Sequence, residues 1–488
     1  MDLDEFAFHS ATEAAQAIRD NKVTSLQLTR HMLRRIERFN PVINSIVSLM
    51  QDQALRRAAM ADDALKNGII WGPLHGVPCT VKDHYEIAGV LTTCGSPEYK
   101  DHIPKKNAVV VQRLLDAGAV ILGHTNVPEL AADWQSYNDV YGTTVNPWNH
   151  DVTPGGSSGG CAASLAAGMS FLSVGSDFAG SIRVPSHFCG VYGHRPTMGI
   201  IPIRGSVPGT INSVHRPVSR MSTPGPLART PADLRLAMQV IGGLDEFESK
   251  AYTWKLPKPR HERLADYKIG YVIDDPLCPS TGGVRDTLAG MAYRLGDVCA
   301  DAREGWPSGV DPAEEFYLFK LLRYMEKAVQ LKDENLEETR KAALRRDVDD
   351  DGLMAWVWTA PHKYHIMYDE KRIETRSLWQ KIFEDIDVFL MPADFTPAFP
   401  HDHSDTMTTR TLETPEGTRQ YMDQLFWMTF SSITGLPCTT APVGLTPDGL
   451  PVGVQIMGPY LEDNTTIRFA ELMAEEIGGY VEPKGYRL

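Results

Sequence analysis

Apolar residues recur at helical spacing in the first 66 residues, which predicts helices that wrap around a sheet. The segments Ser10–Glu13 and Thr24–Gln27 have the Ser/Thr-x-x-Glu/Gln pattern of a capping box, which is typical of a helix start. The apolar stripe of the second helix consists of Leu28, Met32, Leu33, Ile36 and Phe39. The dipeptide Asn40-Pro41 is predicted to end this helix, because the residue before a proline avoids helical backbone.

A different pattern begins at Gly72 and predicts a β-α-β unit. Residues 77–82 are typical of a strand, and residues 108–117 are typical of a short amphipathic helix. Gly118 ends that helix, and residues 119–122 form an apolar run short enough to be a buried strand. Such a unit predicts a parallel or mixed sheet with helices on both faces.

The composition and the predicted secondary structure change twice in the rest of the chain. Residues 142–210 are rich in Gly, Ser and Pro but contain a strand-like run at 171–174, which indicates a scaffold with functional loops. Residues 312–347 predict a long, charged, amphipathic helical stretch, which we interpret as a solvated lid. Sheet-like segments return after residue 430.

Together these patterns predict an α/β fold in one large domain, residues 1–488, with a helical insertion. Its central sheet is expected to be mixed, mostly parallel, and covered by helices on both faces. The predicted parts are an N-terminal helical wrap (1–68), a core (69–250), a variable, mainly helical insertion or lid (251–385) and a C-terminal return to the core (386–488).

Composition narrows the class of protein. The net charge of −14 over 488 residues argues against nucleic acid or an anionic membrane as the main partner. No apolar stretch approaches the roughly 18 residues that a membrane span needs, and the acidic start lacks a secretory signal. The seven cysteines are scattered and odd in number, as expected of reduced thiols. We therefore expect a cytoplasmic enzyme without a membrane span.

Two loops rich in serine and glycine carry the strongest chemical signal. They are Thr153–Gly160 and Ser176–Arg183, and the second follows the strand-like run at 171–174. Glycines let backbone approach a ligand closely, and a small-residue helix starting near Cys161 directs its positive dipole end at the first loop. Successive N–H groups in the second loop predict a nest for an oxyanion, formed by Phe178, Ala179, Gly180 and Ser181.

A serine nucleophile needs a base, and Lys82 is a candidate besides the 15 histidines. Lys82 ends the predicted strand 77–82 in an apolar context, where a solvated cation is not expected. Burial lowers a lysine pKa from about 10.4 by several units, which makes a neutral amine available.

These segments resemble the amidase signature family of Ser–Ser–Lys hydrolases. The resemblance rests on Gly155–Gly160, on Gly175–Arg183 and on Gly72–Asp83, which contains Lys82. Ser157 and Ser181 are 24 residues apart, and Lys82 precedes Ser157 by 75 residues, as in that family. The similarity to the family's motifs is strong from about residue 70 to 210 and weak between about 250 and 385.

The resemblance implies roles for individual residues. Ser181 would be the nucleophile, Ser157 would relay protons from an unusual cis peptide, and Lys82 would be the base, without a cofactor or metal. Activity would then rise toward alkaline pH. We interpret three further residues as structural support for the loops: Ser158, Asp177 and Arg183. This chain departs from the family's commoner Thr at Ser176 and commoner Gly at Ala179.

The same residues also fit simpler interpretations. Either serine alone fits ordinary turn chemistry, and Lys82 alone fits a surface lysine at a strand end. Gly155–Gly159 also matches Gly-x-Ser-x-Gly, but that motif needs a preceding strand, which the loop 146–154 does not offer. His401 and His403 suggest a metal pair, but a solvated loop is favoured because no further ligands follow at suitable spacing.

The predicted function is hydrolysis of C–N acyl bonds in a small amide, aryl amide, carbamate (urethane) or ester. The alternatives are an amidotransferase-type subunit that releases ammonia for a partner, a metal-dependent amidohydrolase, and an inactive binding protein. Segment 129–141 and several aromatic residues suggest an apolar or aryl substrate, although the aromatic residues fit a packed core equally well, and a homodimer is a further alternative. Those aromatic residues are Trp356, Trp358, Trp379, Phe426 and Trp427.

Overall fold

The computed structural model describes residues 2–207, 219–246, 248–328, 331–404 and 406–488. The α-helices are α1 Leu3–Phe6, α2 Ala11–Arg19, α3 Ser25–Ile43, α4 Gln51–Lys66, α5 Val109–Asp116, α6 Gly159–Ala166, α7 Arg183–Cys189, α8 Pro231–Ile241, α9 Gly282–Val298, α10 Pro312–Lys327, α11 Leu336–Ala342, α12 Asp350–Thr359, α13 His362–Ile382, α14 Leu425–Thr434 and α15 Asp463–Ile477.

The strands are β1 Ile46–Leu49, β2 Pro78–Lys82, β3 Val120–Thr125, β4 Tyr137–Asn138, β5 Gly142–Thr143, β6 Leu172–Asp177, β7 Tyr192–Arg195, β8 Thr223–Ala228, β9 Lys268–Tyr271, β10 Asp301–Glu304, β11 Val388–Pro392, β12 Thr411–Thr414, β13 Gly417–Gln420, β14 Cys438–Leu445 and β15 Pro451–Met457. Eleven of them form one sheet in the order β1-β3-β2-β6-β8-β7-β14-β15-β11-β9-β10.

The predicted mixed sheet is confirmed, and its parallel pairs occupy two flanks. Strands β3, β2 and β6 are parallel on one flank, and β11, β9 and β10 are parallel on the other. The other six neighbouring pairs are antiparallel, so "mostly parallel" describes the flanks rather than the whole sheet. One reason is the short turn between β14 and β15, which forces an antiparallel hairpin.

Both faces of the sheet are covered. Every residue of β2, β3, β6, β7, β8, β11 and β15 is buried. Because successive residues of a strand point to opposite faces, burial of all of them means that both faces are packed. Helices α6, α7, α8, α9 and α15 contact the strands.

Both predicted capping boxes are confirmed at the starts of α2 and α3. The prediction that α3 ends at Asn40-Pro41 is wrong, because the helix continues to Ile43. Pro41 lies in the last turn, where it removes only one helical hydrogen bond. The Asn40 side chain stabilises this end by accepting the N–H groups of Ser45 and Ile46, each at 2.9 Å. The N-terminal segment also contributes the edge strand β1, which the prediction of a purely helical wrap missed.

The long helix expected over 312–347 is divided. Helix α10 ends at Lys327, and the shorter α11 follows from Leu336. Helix α10 has a buried stripe (Leu318, Phe319, Leu321, Leu322 and Tyr324), whereas α11 has no buried residue. Most of the stability of a helix in a protein comes from packing of its apolar face, and the charged segment has no apolar stripe that would stabilise a continuation of α10. No helix in the described ranges is both long and apolar enough to cross a membrane.

Candidate active site

Lys82 lies at the end of β2 with no solvent exposure. Its Nζ donates hydrogen bonds to Ser157 Oγ at 2.6 Å and to Ser176 Oγ at 2.9 Å. Burial lowers the pKa of the ammonium group to about 8, because removal from water disfavours the charged form. An amine that is neutral in part of the molecules near neutral pH therefore contacts two hydroxyl groups.

Ser157 is placed by the glycine loop that precedes α6. The peptide bond between Gly156 and Ser157 is cis, as the resemblance implied, and Gly155 has a φ of +83°. A Cβ on Gly156 would come within 2.6 Å of the Asp133 carbonyl oxygen, so only glycine fits there. No strand precedes this loop directly, which agrees with our rejection of the Gly-x-Ser-x-Gly motif.

Ser181 follows β6 in a turn that the Asp177 carboxylate organises. This carboxylate accepts the N–H groups of Gly180 and Ile182, both at 3.0 Å. Gly180 has a φ of +96°, and a Cβ there would lie 2.4 Å from the Met428 sulfur. Ser181 itself is only 8% exposed.

Arg183 holds the turn in place. Its Nη2 atom lies 2.9 Å from Asp177 Oδ1, and both side chains are buried. Burial opposes ionisation of Asp177, but Arg183 and Arg195 outweigh it and keep the carboxyl pKa well below its usual value. The guanidinium also donates to Gln455 Oε1 at 2.7 Å, which ties the turn to β15. The expectation that Asp177 and Arg183 support the loop agrees with these contacts.

Ser158 joins the two serine loops. Its backbone N–H donates to the Ser181 carbonyl oxygen at 3.1 Å, and its Oγ donates to the Ser176 carbonyl oxygen at 3.3 Å. These bonds fix the loop of Ser157 relative to the loop of Ser181.

The predicted oxyanion nest needs one correction. The Gly180 N–H already donates to Asp177, so it is committed to a carboxylate and is not a free donor for a substrate oxygen. No described residue accepts the backbone N–H of Phe178, Ala179 or Ser181. Ala179 is not among the described non-glycine residues with positive φ, so its Cβ causes no backbone strain in place of the family's glycine.

A cavity of about 430 Å³ opens above these groups. Its floor includes Ser157, Ser176 and Ser181, and one wall is residues 129–134, within the predicted substrate segment. Part of the lining comes from helix α10, in the segment that the sequence analysis interpreted as a solvated lid. The remaining lining residues are His84, Phe178, Ala179, Ser219, Ser222, Arg323, Glu326, Lys327 and Met407.

The aromatic residues suggested for the substrate pocket do not line this cavity. Trp379, Phe426 and Trp427 are buried in a hydrophobic core cluster, and Trp356 and Trp358 pack against a separate cluster around α12. Aromatic content alone could not separate core from pocket, because both environments favour the same side chains.

His401 and His403 do not form a metal site in the described part of the chain. The His403 ring stacks on Tyr137 with centroids 3.7 Å apart. Among the described residues, no three His, Cys, Asp or Glu side chains are close enough to share an ion. The metal-dependent alternative therefore gains no support from the geometry.

The structure thus combines a mixed α/β sheet with a buried lysine that contacts the hydroxyl groups of Ser157 and Ser176. The model of the amidase family matches residues 27–467. The indoleacetamide hydrolase of Bradyrhizobium diazoefficiens is 32% identical over 472 residues, covering 93% of this chain and 84% of that protein. A glutamyl-tRNA(Gln) amidotransferase subunit from Marinomonas sp. is 29% identical over 493 residues, covering 94% of this chain and 95% of that protein.

A crystal structure of an amidase superposes with a TM-score of 0.79 at 25% identity, covering 96% of this chain and 100% of that one. The chain therefore belongs to the amidase family, the amidase signature enzymes, and is a hydrolase acting on amide C–N bonds. The resemblance seen in the sequence is confirmed.

Proposed function

We propose that this protein is an amidase that hydrolyses a small amide through an acyl-enzyme on Ser181, with Ser157 as proton relay and Lys82 as base. The observation that carries the proposal is the 2.6 Å hydrogen bond from the buried Lys82 Nζ to the Oγ of Ser157, which lines the same cavity as Ser181. A buried amine with a pKa of about 8 can accept a proton from a serine relay near neutral pH.

The reaction has two halves. In the first, Ser181 Oγ attacks the amide carbonyl, and its proton passes through Ser157, with Lys82 as the accepting base. The proton then returns through Ser157 to the nitrogen, the C–N bond breaks, and the amine leaves. In the second, water attacks the Ser181 ester and gives up a proton through Ser157 to Lys82. The bond from the carbonyl carbon to Ser181 Oγ then breaks, the proton returns through Ser157 to that oxygen, and the carboxylic acid leaves. The enzyme returns to its starting state.

Backbone N–H groups of the Ser181 turn are proposed to stabilise the oxyanion of the tetrahedral intermediate. Phe178, Ala179 and Ser181 are the donors, since the Gly180 N–H is bonded to Asp177. Fixed donors of this kind act strongly in a site that excludes water. The Asp177–Arg183 pair contributes by holding the turn in shape.

The substrate is proposed to have an apolar or aryl body. Leu130, Trp134, Phe178 and Met407 supply apolar surface along the cavity. Carbamates and esters are chemically close to amides, because each forms a similar acyl-enzyme on the same serine. We propose that the chain works without a second kind of subunit, alone or as a homodimer.

An amidotransferase subunit is the second candidate, favoured by one observation. Glutamyl-tRNA(Gln) amidotransferase subunits from several bacteria are 29–31% identical over at least 94% of this chain. The net charge of −14 does not favour RNA binding by the chain itself. Glutamine hydrolysis that depends on an added partner protein would support this alternative.

The test is a panel of aryl amides, p-nitroanilides, carbamates, esters and glutamine, assayed with the purified chain alone. We expect aryl amide or p-nitroanilide hydrolysis, and covalent labelling of Ser181 by a fluorophosphonate, detected by mass spectrometry. Labelling that persists in the Ser181→Ala variant at unchanged stoichiometry contradicts the assignment of the nucleophile. Turnover of glutamine alone, at a rate above all other substrates, contradicts the proposed substrate class.

A further inference from the structure

Helix α10 places two cations on the wall of the catalytic cavity. Arg323 and Lys327 are four residues apart, so their side chains lie on the same face of the helix. Both line the cavity that contains Ser157 and Ser181. Arg323 is only 7% exposed, which is unusual for a guanidinium group.

Neither cation has an ion-pair partner among the described residues, although carboxylates are near. Glu326, on the same cavity wall, accepts from Ser219 Oγ and from the Arg220 backbone N–H. Asp350, whose negative charge acts on Arg323, forms its ion pair with Lys320 at 3.0 Å.

The other acidic groups of the cavity are also occupied. Asp133 is paired with Arg410 at 2.9 Å and also accepts a hydrogen bond from Tyr421. Glu129 accepts a hydrogen bond from Ser96 Oγ at 2.9 Å. The lining carboxylates therefore have partners of their own, whereas the two cations of α10 face the cavity without an ion pair to any residue in the described ranges.

A buried cation without a counter-charge is costly unless a ligand supplies the charge. This cost is visible at Lys327, where burial and the neighbouring Arg323 lower the pKa of the ammonium group to about 7. A guanidinium group binds a carboxylate through two parallel hydrogen bonds, and a neighbouring ammonium group adds a third donor. The chemistry of this wall therefore fits a carboxylate that arrives with the substrate.

We propose that Arg323 and Lys327 form a carboxylate subsite, so that the preferred substrate is an amide with a carboxylate remote from the scissile bond. This inference rests on the proposed amidase function and narrows its substrate class. The apolar or aryl body of the substrate would lie between the carboxylate at α10 and the carbonyl carbon at Ser181.

The test compares two p-nitroanilides of equal length. One is the mono-p-nitroanilide of glutaric or adipic acid, and the other carries a methyl ketone in place of the free carboxylate. We expect the wild-type protein to favour the carboxylate by at least about tenfold in kcat/KM, because hydrogen bonds to charged groups contribute that much or more. Arg323→Met and Lys327→Met should each reduce this preference about tenfold, mainly through KM.

Lys371→Met is the matched control. Lys371 lies on α13, pairs with Glu374 at 3.9 Å and does not line the cavity, so its loss should leave the preference unchanged. Equal efficiency of the wild type on both substrates overturns the proposal. So does an equal loss on both substrates in the Arg323→Met variant, which would indicate a structural role.

Binding separates this inference from the amidase proposal. Titration calorimetry with the Ser181→Ala variant and the glutaryl anilide measures the carboxylate contact without turnover. We expect at least about tenfold weaker binding when Arg323→Met is added. Unchanged binding overturns the carboxylate subsite even if hydrolysis occurs, whereas weakened binding without any wild-type hydrolysis supports the subsite and contradicts the amidase proposal.

Discussion

The end of β2 and the start of α10 each bury a titratable side chain whose pKa moves to about 8. At β2 burial lowers the pKa of Lys82, and at α10 burial raises the pKa of Glu315. The partners differ. Lys82 donates to two serine hydroxyls at the floor of the cavity, whereas Glu315 accepts from the indole N–H of Trp379 at 3.1 Å.

A displaced pKa therefore does not by itself identify a reacting group. Burial shifts the pKa of any ionisable side chain toward its neutral form, in a core as well as in an active site. What distinguishes Lys82 is its contact with two hydroxyl groups that line a cavity, from which its neutral form is proposed to take a proton. Within the described ranges the Glu315 carboxyl group accepts a hydrogen bond only from the Trp379 indole, which joins α10 to α13.

The largest expected effect concerns the nucleophile. Ser181→Ala should lower kcat by about 10⁴-fold or more, since it removes the hydroxyl group proposed to form the acyl-enzyme. Ser164→Ala is the control, because that buried hydroxyl donates to the Cys161 carbonyl within α6 and is not among the residues that line the cavity. It should keep most of the activity. Steady-state kinetics on the best aryl amide, with circular dichroism to verify folding, checks both. Appreciable turnover by Ser181→Ala would contradict the assignment of the nucleophile. The contrast between a reacting group at the end of β2 and a packing group at the start of α10 would then have no support.

The next effect concerns the base. Lys82→Met preserves the volume of the side chain but cannot accept a proton, and we expect a loss of about 10²- to 10⁴-fold in kcat. The measurement is kcat for the same substrate across pH. A variant as active as the wild type would show that the lysine is only structural, like Glu315.

The pH profile distinguishes the two regions, although both groups have a pKa of about 8. Lys82 must be neutral to accept a proton, so kcat/KM should rise with pH, by about tenfold per unit below pH 8, and level off above it. The same rise of kcat/KM with pH should be seen in Glu315→Gln. If the rise is lost in Glu315→Gln, the titrating group is Glu315 on α10 instead of Lys82.

The smallest effect is on stability. Glu315 stays neutral in the folded protein up to about pH 8, whereas an ordinary glutamate ionises near 4.5. Between these values the unfolded chain binds fewer protons, so the stability of the folded protein falls as pH rises. Glu315→Gln removes this titration. The free energy of unfolding of this variant relative to that of the wild type should therefore rise by at least about 1 kcal/mol from pH 5 to pH 8. Urea unfolding at the two pH values measures it, and an unchanged difference would contradict burial of an ionisable Glu315.

Much of the site was predictable from the sequence. The local geometry requires glycines in the segments that contain Lys82, Ser157 and Ser181. These glycines make the motif recognisable in the sequence. The contact between Lys82 and Ser176 was missed, since the sequence marked Ser176 only as a departure from the family. The commitment of the Gly180 N–H to Asp177 was missed as well, because a side chain folding back on its own turn leaves no periodic signal.

The family and the α/β class follow from the sequence alone, and the resemblance to that family implies the three groups proposed to react, because the motif segments and their spacing are preserved along the chain. Which residues face the cavity depends on how distant segments pack. Helix α10 brings Arg323 and Lys327 to a site more than 140 residues earlier in the chain, whereas the tryptophans that looked suited to a pocket pack into cores. The physical reason is that the hydrophobic effect favours burial without regard to direction, so composition cannot say whether an apolar side chain faces a ligand or another helix.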